Sequence, residues 1–203
     1  MHAELENLLS RYPVLTNLNQ EISSSFDLLY TCFKNQKKLL LCGNGGSASD
    51  SDHIAGELLK GFKSLRRLQP DEHILFGDTM VDNLQGSLPA ISLPSLTAAN
   101  TAFANDCNPD YIYAQLTYGL GNEGDVLWAI STSGNSANVV LAAQVAKSKK
   151  MAVISLTGRG GGQLKSLSDV CINVPEDETY KIQELHLPVY HCLCLMLESD
   201  FFE

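Results

Sequence analysis

Five short apolar runs punctuate the chain: KLLLC (38–42), LPAISL (88–93), DVLWAIS (125–131), MAVISLTG (151–158) and DVCINV (169–174). Each is too short for a helix with a core-facing stripe, and each runs into glycine or proline. They read as buried strands. Between them lie stretches with helical spacing of apolar residues, at 47–62, roughly 97–104 and 109–120, 136–149 and 180–198. Strands alternating with helices imply βαβ units, right-handed crossovers and a mostly parallel sheet, hence an α/β fold. Ligands of such sheets gather at the carboxyl ends of the strands, so the loops after the runs are the places to search for function.

Ahead of the first run, Leu5, Leu8, Leu9, Leu15, Leu18, Ile22, Phe26, Leu29 and Phe33 recur at helical spacing. Pro13 divides this stretch into a short helix and a longer one. Such helices pack on the core or on another subunit. Residues 63–88 are polar and poorly patterned, and read as a flexible excursion, an extra short helix or a lid. No internal repeat or linker separates a second unit, so a single domain over 1–203 is expected, with an N-terminal helical segment of about 1–36.

Hydrophobic residues make up 44% and charged residues 18%, a globular balance. The net charge of −9 argues against a nucleic-acid surface. It leaves small anionic ligands open, because backbone N–H groups hold phosphate without a basic patch. The six cysteines form no CxxC pair, and four sit in apolar runs, which suits buried, reduced thiols. The opening MHAELENLLSRYP is charged and lacks the apolar centre of a signal peptide. No apolar run approaches the ~20 residues of a membrane span. No membrane partner is expected, and the cytoplasm is the expected compartment.

Two loops suit an anion. Gly43-Asn44-Gly45-Gly46-Ser47 follows the first run and opens a helix. Its glycines permit close backbone approach, Ser47 can cap the helix, and the helix start presents N–H groups. The spacing is not that of a dinucleotide fingerprint, because the third glycine position is Ala48. The stretch ISTSGNS (130–136) places Ser131, Thr132, Ser133 and Ser136 around Gly134, where another helix begins. Hydroxyls together with helix N–H groups form a cradle for a phosphate monoester. Neither loop is followed by the lysine of a nucleotide triphosphatase.

Groups able to move protons come next. His53 and Glu57 are four apart on the helix after the glycine loop and share a face. The last helical stretch, YKIQELHLPVYHCLCLMLE, carries Gln183, Glu184, His186 and His191 among apolar residues. At about 100° per residue, His186 and His191 fall on opposite sides of Gln183. At most one of them joins Gln183 at a single centre, and spacing does not choose between them. Pro188 frees a carbonyl within this helix and favours a kink.

Together, CGNGGSASDSDHIAGEL, FAND, GDVLWAISTSGNSANV, LTGRGGG and IQELHLPVYH resemble the sugar isomerase (SIS) domain family, on its heptose-phosphate branch, over about residues 39–198. The resemblance implies a flavodoxin-like three-layer sandwich with a five-stranded parallel sheet, and a homotetramer with active sites at subunit interfaces. By the same match, Asn44, Gly45 and Gly46 belong to the first substrate loop, Asn105 and Asp106 to a sugar-contacting pair, and Ser131, Thr132, Ser133 and Ser136 to the phosphate loop. His53, Glu57, Gln183 and His191 match positions that bind zinc in some members, which selects His191 over His186; Glu57 and Gln183 also match substrate contacts.

The reaction so implied converts sedoheptulose 7-phosphate to D-glycero-D-manno-heptose 7-phosphate through an enediol, with Glu57 as base and His191 as its acid partner. Two rivals from other classes are a tetrameric adaptor of the bacterial replication initiator and a phosphosugar sensor. Adaptors of that kind lack the histidine–glutamate set, so its presence favours an enzyme. Two departures from the family pattern are Tyr180, where an acidic residue is usual, and the long 63–88 connection.

Overall fold

The computed structural model describes residues 2–68 and 70–202. In chain order it contains α1 (Ala3–Arg11), a 3₁₀ turn (Pro13–Leu18), α2 (Asn19–Lys34), β1 (Leu39–Cys42), α3 (Gly46–Leu59), α4 (Pro70–Phe76), α5 (Asp78–Val81) and β2 (Ala90–Ser92). It continues with α6 (Thr97–Asp106), a second 3₁₀ turn (Pro109–Tyr111), α7 (Ile112–Leu120), β3 (Val126–Ile130) and α8 (Ala137–Ser148). It ends with β4 (Ala152–Thr157), α9 (Leu164–Leu167), β5 (Val170–Asn173) and α10 (Thr179–Phe202).

Every strand lies inside one of the five apolar runs, and all neighbouring pairs are parallel, in the order β2-β1-β3-β4-β5. This is the flavodoxin-like order expected. The chain steps outward from β1 to β2 and returns to β3 on the other side of β1, which opens a crevice at their carboxyl ends. Register pairs Cys42 with Ala129, so the loops after β1 and β3 leave the sheet side by side.

Alternation along the strands divides the core in two. Leu39, Leu41, Trp128 and Ile154 face a layer built from α1, α2, α3 and α10, through residues such as Leu29, Ile54 and Leu193. Leu40, Cys42, Leu127 and Val153 face the other layer, where Val139 and Ala143 of α8, Tyr113 of α7 and Leu164 of α9 pack. The N-terminal helices thus complete one face of the sandwich. Pro13 opens the 3₁₀ turn between α1 and α2, and α10 runs on through Pro188.

Among the described residues of 63–88 lie the two short helices α4 and α5, while Ile74, Leu75, Phe76 and Met80 remain exposed. All six cysteines are free thiols, and Cys32, Cys42, Cys192 and Cys194 are buried. Burial pushes the Cys42 thiol up to about 12, so it packs as an apolar group. Among the described residues, no helix is long and apolar enough to cross a membrane.

Candidate active site

The glycine loop turns β1 into α3 with little room to spare. Gly45 precedes the helix with φ 55°, a conformation that suits glycine. A Cβ on Gly43 would lie 2.6 Å from the Ser47 carbonyl oxygen, and one on Gly46 would lie 2.5 Å from Gln183 Nε2. The Gly43 carbonyl accepts from Tyr113 Oη at 2.7 Å, which ties the turn to α7. Ser47 does not cap the helix: Gly45 occupies the cap position without a side-chain bond, and Ser47 lies buried inside the first turn. The tight turn starts the helix two residues sooner than a cap at Ser47 would.

The hydroxyl loop after β3 is folded by glycine contacts of its own. Gly134 has φ 66°, and a Cβ there would meet the Gly161 carbonyl oxygen at 2.0 Å. The turn 131–136 therefore stacks directly on the backbone after β4. Ser131 Oγ and Ser136 Oγ are 3.0 Å apart, and Asn135 N donates to Ser133 Oγ at 3.1 Å. Ser136 holds the cap position of α8, yet among the described residues no side chain caps that helix. Its first N–H groups and positive dipole end face the loop, an arrangement that holds a phosphate. Asn138 bridges to the glycine loop: Asn44 Nδ2 donates to Asn138 Oδ1 at 2.8 Å, and Asn138 Nδ2 returns a bond to Asn44 Oδ1 at 2.9 Å.

A second centre lies further along α3. His53 Nε2 is 3.2 Å from Glu57 Oε1 and 3.5 Å from His191 Nε2 on α10. Lys60 Nζ donates to Glu57 Oε2 at 3.1 Å. The rings of Tyr190 and Phe62 flank His191, with centroids 4.9 Å and 5.2 Å away. Burial and the neighbouring His53 lower the His191 pKa against an opposing pull from Glu57. His186, the other candidate, is fully buried, and burial pushes its imidazole down to about 4. Gly46, at the glycine loop, and His53 are seven residues of α3 apart, about 10 Å along the axis at 1.5 Å per residue. That is comparable with the length of an extended seven-carbon sugar phosphate.

One chain does not gather every expected residue. Gln183 packs against Gly46 at the start of α3, so it lies beside the glycine loop and away from His53. Asn105 and Asp106 end α6, are exposed, and bond to one another at 2.9 Å. Among the described residues, no three His, Cys, Asp or Glu side chains surround a point closely enough to hold a metal ion without movement. The donor set of His53, His191 and Glu57 nonetheless fits zinc in kind. Its two measured spacings are also close to the roughly 3.3 Å edge of a tetrahedron with bonds of about 2.0–2.1 Å.

Sequence reasoning missed a clamp behind Glu57. Arg66, fully enclosed, donates from Nη2 to the Glu57 carbonyl and from Nη1 to the Leu58 carbonyl, each at 2.7 Å, so it closes the end of α3. Its Nε donates to Glu198 Oε1 at 2.7 Å; the two side chains are 0% and 1% exposed. Glu198 also accepts from the N–H groups of Phe62, Lys63 and Ser64. Burial works to raise its pKa, but these donors hold the carboxyl below its ordinary value. Glu198 lies seven residues after His191, on the same face of α10, and this spacing was the available signal. Asp50 and Tyr190 were missed as well, although Asp50 stands one turn before His53 and Tyr190 adjoins His191.

The family model described as SIS domain matches residues 3–158. The chain belongs to that family. It is 42% identical to the phosphoheptose isomerase of Helicobacter pylori (strain P12) over 187 residues, which span 92% of this chain and 88% of that protein. Among solved structures it is similar to the phosphoheptose isomerase of Neisseria gonorrhoeae, with a TM-score of 0.77, 35% identity, and coverage of 97% of this chain and 94% of that one. It is also similar to a phosphoheptose isomerase from Francisella tularensis, with a TM-score of 0.79, 32% identity, and coverage of 93% and 91%.

Proposed function

We infer that this chain is a phosphoheptose isomerase, an aldose–ketose isomerase that converts sedoheptulose 7-phosphate to D-glycero-D-manno-heptose 7-phosphate. One observation carries the reading beyond family resemblance: the Asn44–Asn138 pair ties the glycine loop at the start of α3 to the hydroxyl loop at the uncapped start of α8, and seven residues further along α3 His53 stands beside Glu57 and His191. In this reading the phosphate sits on the N–H groups of α8, and Asn44, Gly45 and Gly46 line the sugar's path. Glu57 takes a proton from C1 of the ketose, and the resulting enediol receives a proton at C2. Because burial and His53 lower its pKa, His191 is neutral at pH 7 and passes a proton between the two enediol oxygens.

Zinc is the alternative form of the proposal. With the metal bound, His53, Glu57 and His191 would hold it in place of their proton-moving duties, Gln183 would add an amide oxygen, and the chemistry it would supply is polarisation of the sugar carbonyl. A homotetramer belongs to the proposal too. Gln183, Asn105 and Asp106, which one chain leaves away from the histidines, would reach a centre of a neighbouring protomer. The cytoplasm is the proposed compartment.

The experiment follows aldose formation from sedoheptulose 7-phosphate by the purified protein, with and without added zinc. Glu57→Gln is expected to lower kcat about 10²–10⁴-fold while inorganic phosphate still binds. Near-normal turnover in that variant removes Glu57 from the base role. No product from the unaltered protein under either condition overturns the assignment.

A further inference from the structure

We propose that Tyr190, held by Asp50, is a positioning residue that keeps the ring proton of His53 on Nδ1 and turns a bare Nε2 toward Glu57 and His191. The inference rests on the reading of that cluster as the reacting centre.

The argument starts from a hydroxyl with a single proton. Tyr190 Oη lies 3.2 Å from Asp50 Oδ1 and 3.0 Å from His53 Nδ1. An ionised carboxylate only accepts, so the phenol proton goes to Asp50. The tyrosine oxygen is left with lone pairs, and His53 Nδ1 must supply the N–H between them. A neutral imidazole carries one N–H, so Nε2 keeps its lone pair. That nitrogen is the atom 3.2 Å from Glu57 Oε1 and 3.5 Å from His191 Nε2.

Glu57 by itself favours the opposite tautomer, because a carboxylate next to Nε2 draws the ring proton there. Two features work against this. Lys60 Nζ, 3.1 Å from Glu57 Oε2, offsets part of the carboxylate's charge. The Asp50–Tyr190 pair also offers the proton a partner at Nδ1. Ring packing fixes the geometry: His53 meets Tyr190 edge-on at 5.5 Å and 74°, and meets His191 at 4.9 Å and 84°. A flip of the imidazole would put carbon where Nδ1 meets Tyr190 Oη and where Nε2 meets Glu57 Oε1, so both bonds hold the ring in this orientation.

The elements place the relay without strain. Asp50 and His53 are three apart on one face of α3, and Tyr190 reaches across from α10 beside His191. A histidine whose far nitrogen is tied to a carboxylate through a donor is an oriented lone pair, the form in which imidazole takes a metal ion.

Tyr190→Phe tests this, since it keeps the ring and its edge contacts and removes only the hydroxyl. The first readout is the tautomer of His53, read from the ¹⁵N resonances of histidine-labelled, metal-free protein at a pH where imidazole is neutral, and assigned by loss of the signal in His53→Gln. The unaltered protein is expected to carry the proton on Nδ1, and Tyr190→Phe to carry it on Nε2. The second readout is zinc affinity by competition with a chromophoric chelator, expected to fall about 10–100-fold in the variant. A proton on Nε2 in the unaltered protein overturns the proposal, and this result needs no variant to fold. A variant that keeps the proton on Nδ1, or binds zinc as tightly as the unaltered protein, overturns it too. Neither readout uses the sugar, so absence of isomerase activity sinks the functional reading and leaves this one standing.

Discussion

The two ends of α3 are held by opposite means. At its start the backbone turns at Gly45 and Gly46, and Gln183 closes over a residue that has no side chain. At its end a buried guanidinium takes the last carbonyls and a buried carboxylate holds the guanidinium. The start needs side chains to be missing, because a Cβ on Gly46 would collide with Gln183 and one on Gly43 with the Ser47 carbonyl. The end needs charged groups fully paired, because an isolated charge at that depth is costly. His53 and Glu57 lie between, so their placement depends on both.

Breaking the charged end is expected to have the larger effect. Arg66→Met leaves Glu198 buried without its cation and takes the guanidinium from the Glu57 carbonyl and from the Leu58 carbonyl, which keeps only its bond from Leu88 N, so chemical denaturation should show a loss of about 3–5 kcal/mol. Adding Glu198→Leu should recover part of it, since the worst consequence is the stranded charge. A double variant no more stable than the single one shows that the carbonyl bonds, and not the ion pair, hold the end of α3.

The backbone-built side is probed by Gly134→Ala in the neighbouring loop. That residue sits at φ 66°, and the new methyl must displace the Gly161 carbonyl. We expect about 2–4 kcal/mol of lost stability from the left-handed backbone and overpacking together, with weaker phosphate binding measured by calorimetry. Unchanged phosphate affinity would show that stacking on the loop after β4 does not shape the anion site.

The third effect is smaller and depends on pH. His186 lies on α10 between Gln183 and His191, and burial holds it near 4, against an ordinary value of 6.5. The unfolded chain then binds a proton that the folded chain refuses, so stability is full above about pH 6.5 and falls as pH drops toward 4. The loss is on the order of 2–3 kcal/mol. Midpoints of denaturation measured across this range should be flatter in His186→Leu.

Legibility in the sequence follows the same contrast. The strands were readable because parallel strands covered on both faces must be apolar throughout, and Trp128 or Leu41 has no alternative but the core. The glycine and hydroxyl loops were readable because their chemistry is local to a few neighbouring residues. Ser47 misled, since serine before an apolar helix suits a cap and only the tightness of the turn moves the start to Gly46. Over 63–88 a short helix was one of three readings left open, because Ile74, Leu75 and Met80 are exposed and give no core-facing stripe to choose it. Arg66–Glu198 and Asp50–Tyr190 join residues more than a hundred positions apart; helical spacing could flag Glu198 or Asp50 on its own helix but not the partner across the chain. His186 and His191 could not be separated by angle from Gln183; packing separates them, with one in the interior and the other beside His53.

The doubled amide between Asn44 and Asn138 has a consequence for whatever arrives in the crevice between β1 and β3. Each side chain spends one of its two N–H donors and one oxygen lone pair on the other, so each keeps one donor and one acceptor site for a visitor. The doubled bond holds both amides in one orientation, so those spare groups are presented in a fixed arrangement. A molecule with several hydroxyls can meet them without untying the two loops.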